Sequence, residues 1–141
     1  MFEILVNITC FAVFSAPHSE ITFWSYYYDV PLELSLAVER AETGNLPDVV
    51  KDNFVSTTGD YGRFQINCRT WHRYFNINNC DAFKNRHFNI WAGIYIIDKI
   101  KKKYQNERTS GCRCGSNHYF IAHYNDGFLI TARGKLYANK V

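Results

Sequence analysis

Ile90, Ile94, Ile97, Ile100 and Tyr104 recur at steps of three and four, and this spacing predicts a helix over residues 88–104 with a long apolar stripe. Such a stripe has to be buried against something. A second periodic stretch supplies a partner: Leu34, Ala37, Val38 and Ala41 predict a helix over 31–43. Pro31 suits its first turn, and Gly44 with Asn45 suits its end. The 141 residues are enough for one domain with a real core. Between the helices, "LPDVVKDNFVSTTGDYGRFQIN" is rich in Asp, Asn, Thr and Gly. It reads as an irregular loop with a small hairpin around "TTGDYG", residues 57–62. Residues 105–117 read as a loop, "HYFIAHYN" as a short apolar helix at 118–125, and "GKLYANKV" as a closing helix at 134–141. The expected class is α+β, predominantly α-helical, with at most a small β-hairpin region. There are no repeats and no low-complexity linker.

A formal net charge of +3 with no long basic block gives no footing for nucleic-acid binding. It suits an anionic polymer such as a cell wall, and equally a simple solubilising balance. The 10 Tyr, 11 Phe and 3 Trp fill cores more often than they line carbohydrate clefts. At the amino terminus "ILVNITCFAVF" has the length of a signal-peptide apolar region, and "FSAP" offers small residues near a cleavage point. Glu3, without Lys or Arg, makes a poor n-region, so a native buried segment is the alternative. The stretch is too short for a membrane span. Residues 1–16 are therefore expected to be a signal peptide and residues 17–141 a single exported domain, periplasmic or extracellular, with no stable membrane span in the mature form.

Cys10 would leave with that leader. Four thiols then remain, Cys68, Cys80, Cys112 and Cys114, which suggest two disulfides with three connectivities open. Cys112 and Cys114 are too close to pair comfortably with each other, so each is expected to reach back to Cys68 or Cys80. A zinc reading of "CRCGSNHYFIAH", with His118 and His123, matches metal-ligand spacings only loosely. No metal and no cofactor is expected.

Glu42 stands where the apolar face of the first predicted helix runs out. An acid at a helix end is usually solvated; its company changes the reading. Downstream, "STTGDYGRFQIN" brings glycines that let backbone approach a ligand, and Gln65, whose amide both donates to and accepts from sugar hydroxyl or acetamido groups. "HYNDG" adds Tyr124 and Asn125. An acid, amides, a phenol and rings are what glycoside cleavage requires: one group protonates the leaving oxygen while dipoles hold a distorted, oxocarbenium-like sugar.

Five fragments, in order, carry a family resemblance over residues 26–141. "YYYDVPLELSLAVERAETGNLP" is similar to an aromatic-capped opening helix that ends in "ESG". "STTGDYGRFQIN" is similar to "SxxGAxGLMQI", matching Ser56, Gly59, Gly62, Phe64, Gln65 and Ile66. "FNIWAGIYIIDKIKKKY" is similar to "NIxxGxxYLxxLxxxY", matching Asn89, Gly93 and Tyr104. "IAHYNDG" is similar to "xAYNAG", and "LYANKV" to a closing "YvnkV". Together they resemble the SLT-type lytic transglycosylases of the bacterial cell wall, relatives of goose-type lysozyme. The resemblance implies a lysozyme-like fold and cleavage of the β-1,4 bond between N-acetylmuramic acid and N-acetylglucosamine in peptidoglycan glycan strands.

It also implies roles. Glu42 is the catalytic acid and then base, while Glu39, one turn earlier, is a surface or supporting residue. Gln65 and the backbone around Phe64 bind the sugars, Ser56 supports the acid, Tyr124 orients it, and Asn125 shapes the cleft. For Asn89 and Gly93, packing or capping is expected rather than contact with substrate. Size and ending resemble the small transglycosylases that accompany type III and type IV secretion or conjugation systems, which implies wall remodelling beside such an apparatus. Three features depart from the pattern: a longer loop between Glu42 and Ser56, "GDYGRF" in place of the apolar "GAxGLM", and a local likeness of "GDYGRFQINCRTW" to chicken-type lysozymes. In those lysozymes the Asp of this motif is the second catalytic carboxylate, so Asp60 opens a hydrolase alternative. A glycan-binding envelope module without catalysis is the remaining one.

Overall fold

Pro17 opens the first helix of the computed structural model, which describes residues 16–105. Proline is preorganised for a first turn, where its missing N–H is no loss. This helix, α1 (Pro17–Tyr27), turns Ile21, Trp24 and Ser25 into the core. It was not expected from the sequence, because the run "FWSYYY" carries its apolar character on rings all round the helix; the spacing of Ile21, Trp24, Ser25 and Tyr28 is the signal that was there to find. The predicted first helix follows as α2 (Leu32–Thr43), with the Pro31 carbonyl accepting the N–H groups of Leu34 and Ser35. Its buried face carries Leu34, Ser35, Val38 and Thr43, and Gly44 caps its end in right-handed backbone. A buried hydrogen bond of 2.8 Å from Ser25 Oγ to Ser35 Oγ joins α1 to α2.

A single turn, α3 (Asp48–Lys51), leads into the hairpin β1 (Asp60–Tyr61) and β2 (Ile66–Asn67), antiparallel with Asp60 opposite Asn67 and Tyr61 opposite Ile66. The reversal expected in "TTGDYG" is present: Val55 lies antiparallel to Tyr61, the Ser56 N–H donates to the Asp60 carbonyl at 2.9 Å and the Gly62 N–H to the Phe54 carbonyl at 2.8 Å. A second reversal, not expected, joins β1 to β2 at Gly62-Arg63-Phe64-Gln65, where Gly62 and Gln65 take left-handed backbone (φ 71° and 46°). Next come α4 (Cys68–Trp71), capped by Asn67 Oδ1 on the Thr70 N–H, and a 3₁₀ turn (Cys80–Lys84), capped by Asn79.

The long helix α5 (Arg86–Gln105) contains the predicted 88–104 segment. Its expected isoleucines are buried, but so are Asn89, Ala92, Ile96 and Asp98, so burial reaches almost round the helix. A helix buried on most sides sits at the centre of a domain. Here α1, the 3₁₀ turn and β2 all pack against α5, while α1 also packs on α2. Among the described residues most rings lie in this core or pack against it, with Phe75 lying against Phe83, Phe88, Trp91 and Tyr95. The Trp91 indole donates to the Tyr28 hydroxyl at 2.8 Å. Glu20 of α1, fully buried, meets His87 Nδ1 at 3.1 Å; burial pushes its carboxyl up, against the opposing pull of His87 and Arg86. The helices expected at 118–125 and 134–141 lie outside the described residues, as do Cys112, Cys114 and residues 1–15.

The cysteine expectation is corrected. Cys68 and Cys80 pair with each other, not with Cys112 and Cys114. The capped starts of α4 and the 3₁₀ turn place their Cα atoms 5.7 Å apart, within ordinary disulfide range. The bridge closes a segment of 12 residues, so Cys80→Ser is expected to lower the unfolding free energy by about 3 kcal/mol. Urea unfolding without reductant measures this; a loss of under about 1 kcal/mol means that the bridge adds little to the native fold.

Candidate active site

Glu42, half-buried in the last turn of α2, lines a small recess with Asp60, Gln65, Ile66, Asn67, Trp71 and Ile96. The space is about 20 Å³, room for roughly one water or one hydroxyl group.

One face of the recess is the hairpin, which α5 holds in place. The fully buried Asn89 amide donates from Nδ2 to the carbonyls of Tyr61 and Phe83, each at 2.8 Å, and its Oδ1 accepts the Phe64 N–H at 2.8 Å. Gly62 has no room for a side chain, since a Cβ there would stand 2.4 Å from Asn89 Nδ2. One turn along α5, a Cβ at Gly93 would meet Phe64 at 2.5 Å. Asn89 and Gly93 therefore act through packing and hydrogen bonding. Phe64, expected beside the sugars, is corrected: its ring is fully buried and its N–H is held by Asn89, so neither is open to a glycan.

Gln65 does reach the recess. Its side-chain NH₂ donates to the Gly62 carbonyl at 2.7 Å and to that of Phe54 at 3.3 Å, which leaves the amide oxygen as the acceptor it can offer a ligand. Left-handed backbone at a residue other than glycine costs on the order of 1–3 kcal/mol and persists only where the surroundings impose it. Here the two carbonyl contacts impose it.

Asp60 is both a locally bonded turn residue and a wall of the recess. Its carboxylate accepts from Ser56 Oγ at 2.8 Å, from Asn67 Nδ2 at 2.6 Å and from Thr58 Oγ1. Ser56 was expected to support the acid Glu42; it supports Asp60 instead, because the β1 turn folds its hydroxyl back onto that residue.

Beneath the site lies a charge cluster. Arg63, 2% exposed, binds Glu39 Oε1 at 3.0 Å, Asp48 Oδ1 at 2.6 Å and Asp52 Oδ1 at 3.0 Å. Lys51 adds a 2.7 Å bond to the same Glu39 oxygen. Burial alone would lower the Arg63 guanidinium, but hydrogen bonds to Asp48 and Asp52 outweigh it and hold the group above its usual value. Glu39 is thus a supporting residue. The buried Thr43 hydroxyl, one residue after Glu42, donates to the Arg63 carbonyl at 2.8 Å.

The fold thus brings Glu42, Gln65 and Asp60 together, with Ser56 one step behind. Tyr124 and Asn125 lie outside the described residues, as does the histidine and cysteine segment of the zinc reading. Sequence reasoning missed Asn67, Trp71 and Ile96 as recess residues. Asn67 closes the very "QIN" that was read as a motif; Trp71 and Ile96 offered only an apolar side chain in a helix. A family model described as the Transglycosylase SLT domain matches residues 19–141. No curated protein and no solved structure matches the chain.

The hydrogen bond from Arg63 holds the Asp48 carboxyl below the usual carboxylate range. A carboxyl depressed by folding adds stability above its unfolded value, about 3.9, and loses it as pH falls through the folded value. Asp48→Asn is therefore expected to flatten the fall of the urea midpoint below about pH 4, while wild type keeps the steeper fall. Superimposable acid limbs would show that the bond contributes nothing.

Proposed function

The chain belongs to the SLT transglycosylase family, and we propose that Glu42 is the acid and base of its reaction. Among the described residues the mostly helical architecture with a two-stranded sheet accords with the lysozyme-like fold of that family. Membership implies a glycan-cleaving enzyme whose substrate is peptidoglycan, the polymer on which SLT domains act in the periplasm or wall space; that this chain works there as a lytic transglycosylase is part of the proposal. Among the described residues no helix is long and apolar enough to cross a membrane.

The proposed chemistry uses one carboxyl. Glu42 protonates the oxygen between N-acetylmuramic acid and N-acetylglucosamine, and the C1–O bond breaks. The acetamido oxygen of the substrate supports the cationic carbon. The Glu42 carboxylate then takes the proton of the 6-hydroxyl, whose oxygen closes onto C1. Atoms balance without water, and the product is a 1,6-anhydro end. Gln65 offers its amide oxygen to a sugar N–H or O–H at the mouth of the recess, and Tyr124 orients the Glu42 carboxyl. The observation that carries this reading is the local bonding of Asp60: its carboxylate accepts from three side chains of its own turn and hairpin, Ser56, Thr58 and Asn67, which accounts for an Asp at this place as a turn residue without a part in catalysis.

A second reading has an observation of its own. Glu42 and Asp60 line one recess with room for about one water, the arrangement in which a second carboxylate could assist hydrolysis. The wider setting rests on the sequence: removal of residues 1–16 on export, a single working domain over 17–141, and remodelling beside a secretion or conjugation apparatus. The segments that carry the last resemblance, residues 124–128 and 136–141, lie outside the described residues.

Glu42→Gln is expected to lower turnover on purified peptidoglycan by about a hundredfold or more, the range of positioned acid catalysis. Asp60→Asn should keep most of the activity, and mass spectrometry should find 1,6-anhydromuropeptides. Wild-type turnover in Glu42→Gln rejects the assignment. Reducing-end products together with an inactive Asp60→Asn establish the hydrolase reading instead.

A further inference from the structure

Two residues of α2 that bracket Glu42 bind one and the same residue. Glu39, three positions before the acid, takes the Arg63 guanidinium at 3.0 Å. Thr43, one position after, gives its hydroxyl to the Arg63 carbonyl at 2.8 Å. Positions 39 and 43 lie four apart, on one face of the helix, and Glu42 stands on the flank of that face. The other two carboxylates on Arg63, Asp48 and Asp52, come from α3 and the residue that ends it, within the loop that is longer than the family pattern. Two residues beyond Arg63 the chain reaches Gln65. One side chain and its own carbonyl therefore connect the end of the helix carrying the acid, the lengthened loop and the reversal carrying the glycan acceptor.

We propose that Arg63 is a positioning residue, which sets the Glu42 carboxyl relative to Gln65 by gripping α2 on both sides of the acid. The inference rests on Glu42 being the acid. Arginine suits the task better than the apolar residue that the resemblance leads one to expect at this place. Its planar fork binds several oxygens in fixed directions, whereas an apolar side chain leaves rotation and sliding open. The grip also accounts for the lengthened loop, whose two aspartates neutralise a charge that would otherwise be buried without partners.

Three variants separate positioning from bulk stability. Arg63→Lys keeps the charge and loses the fork. Thr43→Val removes the bond to the Arg63 carbonyl and, with it, the longer 3.3 Å bond of the same hydroxyl to the Glu39 carbonyl within α2. Asp81→Asn removes the exposed ion pair with Lys84, which touches neither α2 nor Arg63. Turnover and KM on peptidoglycan are measured below the melting temperature of each variant. The ¹³C resonance of the Glu42 carboxyl is recorded in each folded protein. Arg63→Lys and Thr43→Val are expected to lower kcat by about ten- to a hundredfold with KM within about twofold, the scale on which small misplacements act, and to displace the Glu42 resonance. Asp81→Asn should leave both close to wild type. Unchanged kcat in the folded Arg63→Lys and Thr43→Val proteins overturns the proposal. If Arg63→Lys does not fold, Thr43→Val decides alone. If the wild-type protein cleaves no glycan, the proposed function falls, and the resonance still decides: an unmoved Glu42 signal refutes positioning, and a displaced one supports it.

Discussion

The amide of Asn89 is the joint on which the site depends. It lies in the middle of the protein, fully buried on the central helix, and uses both its donor hydrogens and its acceptor oxygen on the backbone of the hairpin and the 3₁₀ turn. A buried polar group with all its bonds made is stable, and one that loses a partner is costly, so the hairpin can sit on α5 in only one way. Gly93 and Ile96 extend the same stripe of the helix, four and seven residues on. The first makes space for Phe64, and the second lines the recess beside Glu42. One face of one helix thus sets the position of the reversal, its anchoring ring and the floor of the site.

The charges on the other side of the reversal work differently. Arg63 is buried with carboxylates from two separate parts of the chain, and such a cluster gains little net stability over a well-packed apolar one, because each ion has first to be desolvated. What it adds is direction. Hydrogen bonds from a planar group admit few alternative arrangements, while apolar packing tolerates many. Asn89 and Arg63 hold the short segment between them, and the two carbonyl contacts of the Gln65 side chain keep its left-handed backbone in place. The disulfide between Cys68 and Cys80 restrains the chain just after it.

Both periodic helices were legible because an apolar stripe at steps of three and four has only one regular structure that buries it. The same logic was available for α1, where Ile21, Trp24 and Ser25 keep helical spacing, but rings at nearly every position blur the stripe. Glu42 and Gln65 could be singled out as residue types suited to sugar cleavage. Ser56 and Phe64 could be singled out too, yet their surroundings could not. Whether a hydroxyl points to one acid or another, and whether a ring faces solvent or core, depends on torsions that chain neighbours do not set.

The sequence by itself determined the class of fold, the family and the residue types of the site, since these follow from periodicity and from local motifs within about twelve residues. The tertiary structure alone decided that Cys68 pairs with Cys80, that a second reversal follows at Gly62–Gln65, and that Ser56 serves Asp60. It alone decided that Arg63 grips α2 across a separation of 24 residues and that Asn89 reaches Tyr61 across 28. Contacts of that kind form only when distant segments are brought together by a shared core, and several pairings of the same charges, thiols and hydroxyls are compatible with one sequence until packing selects among them.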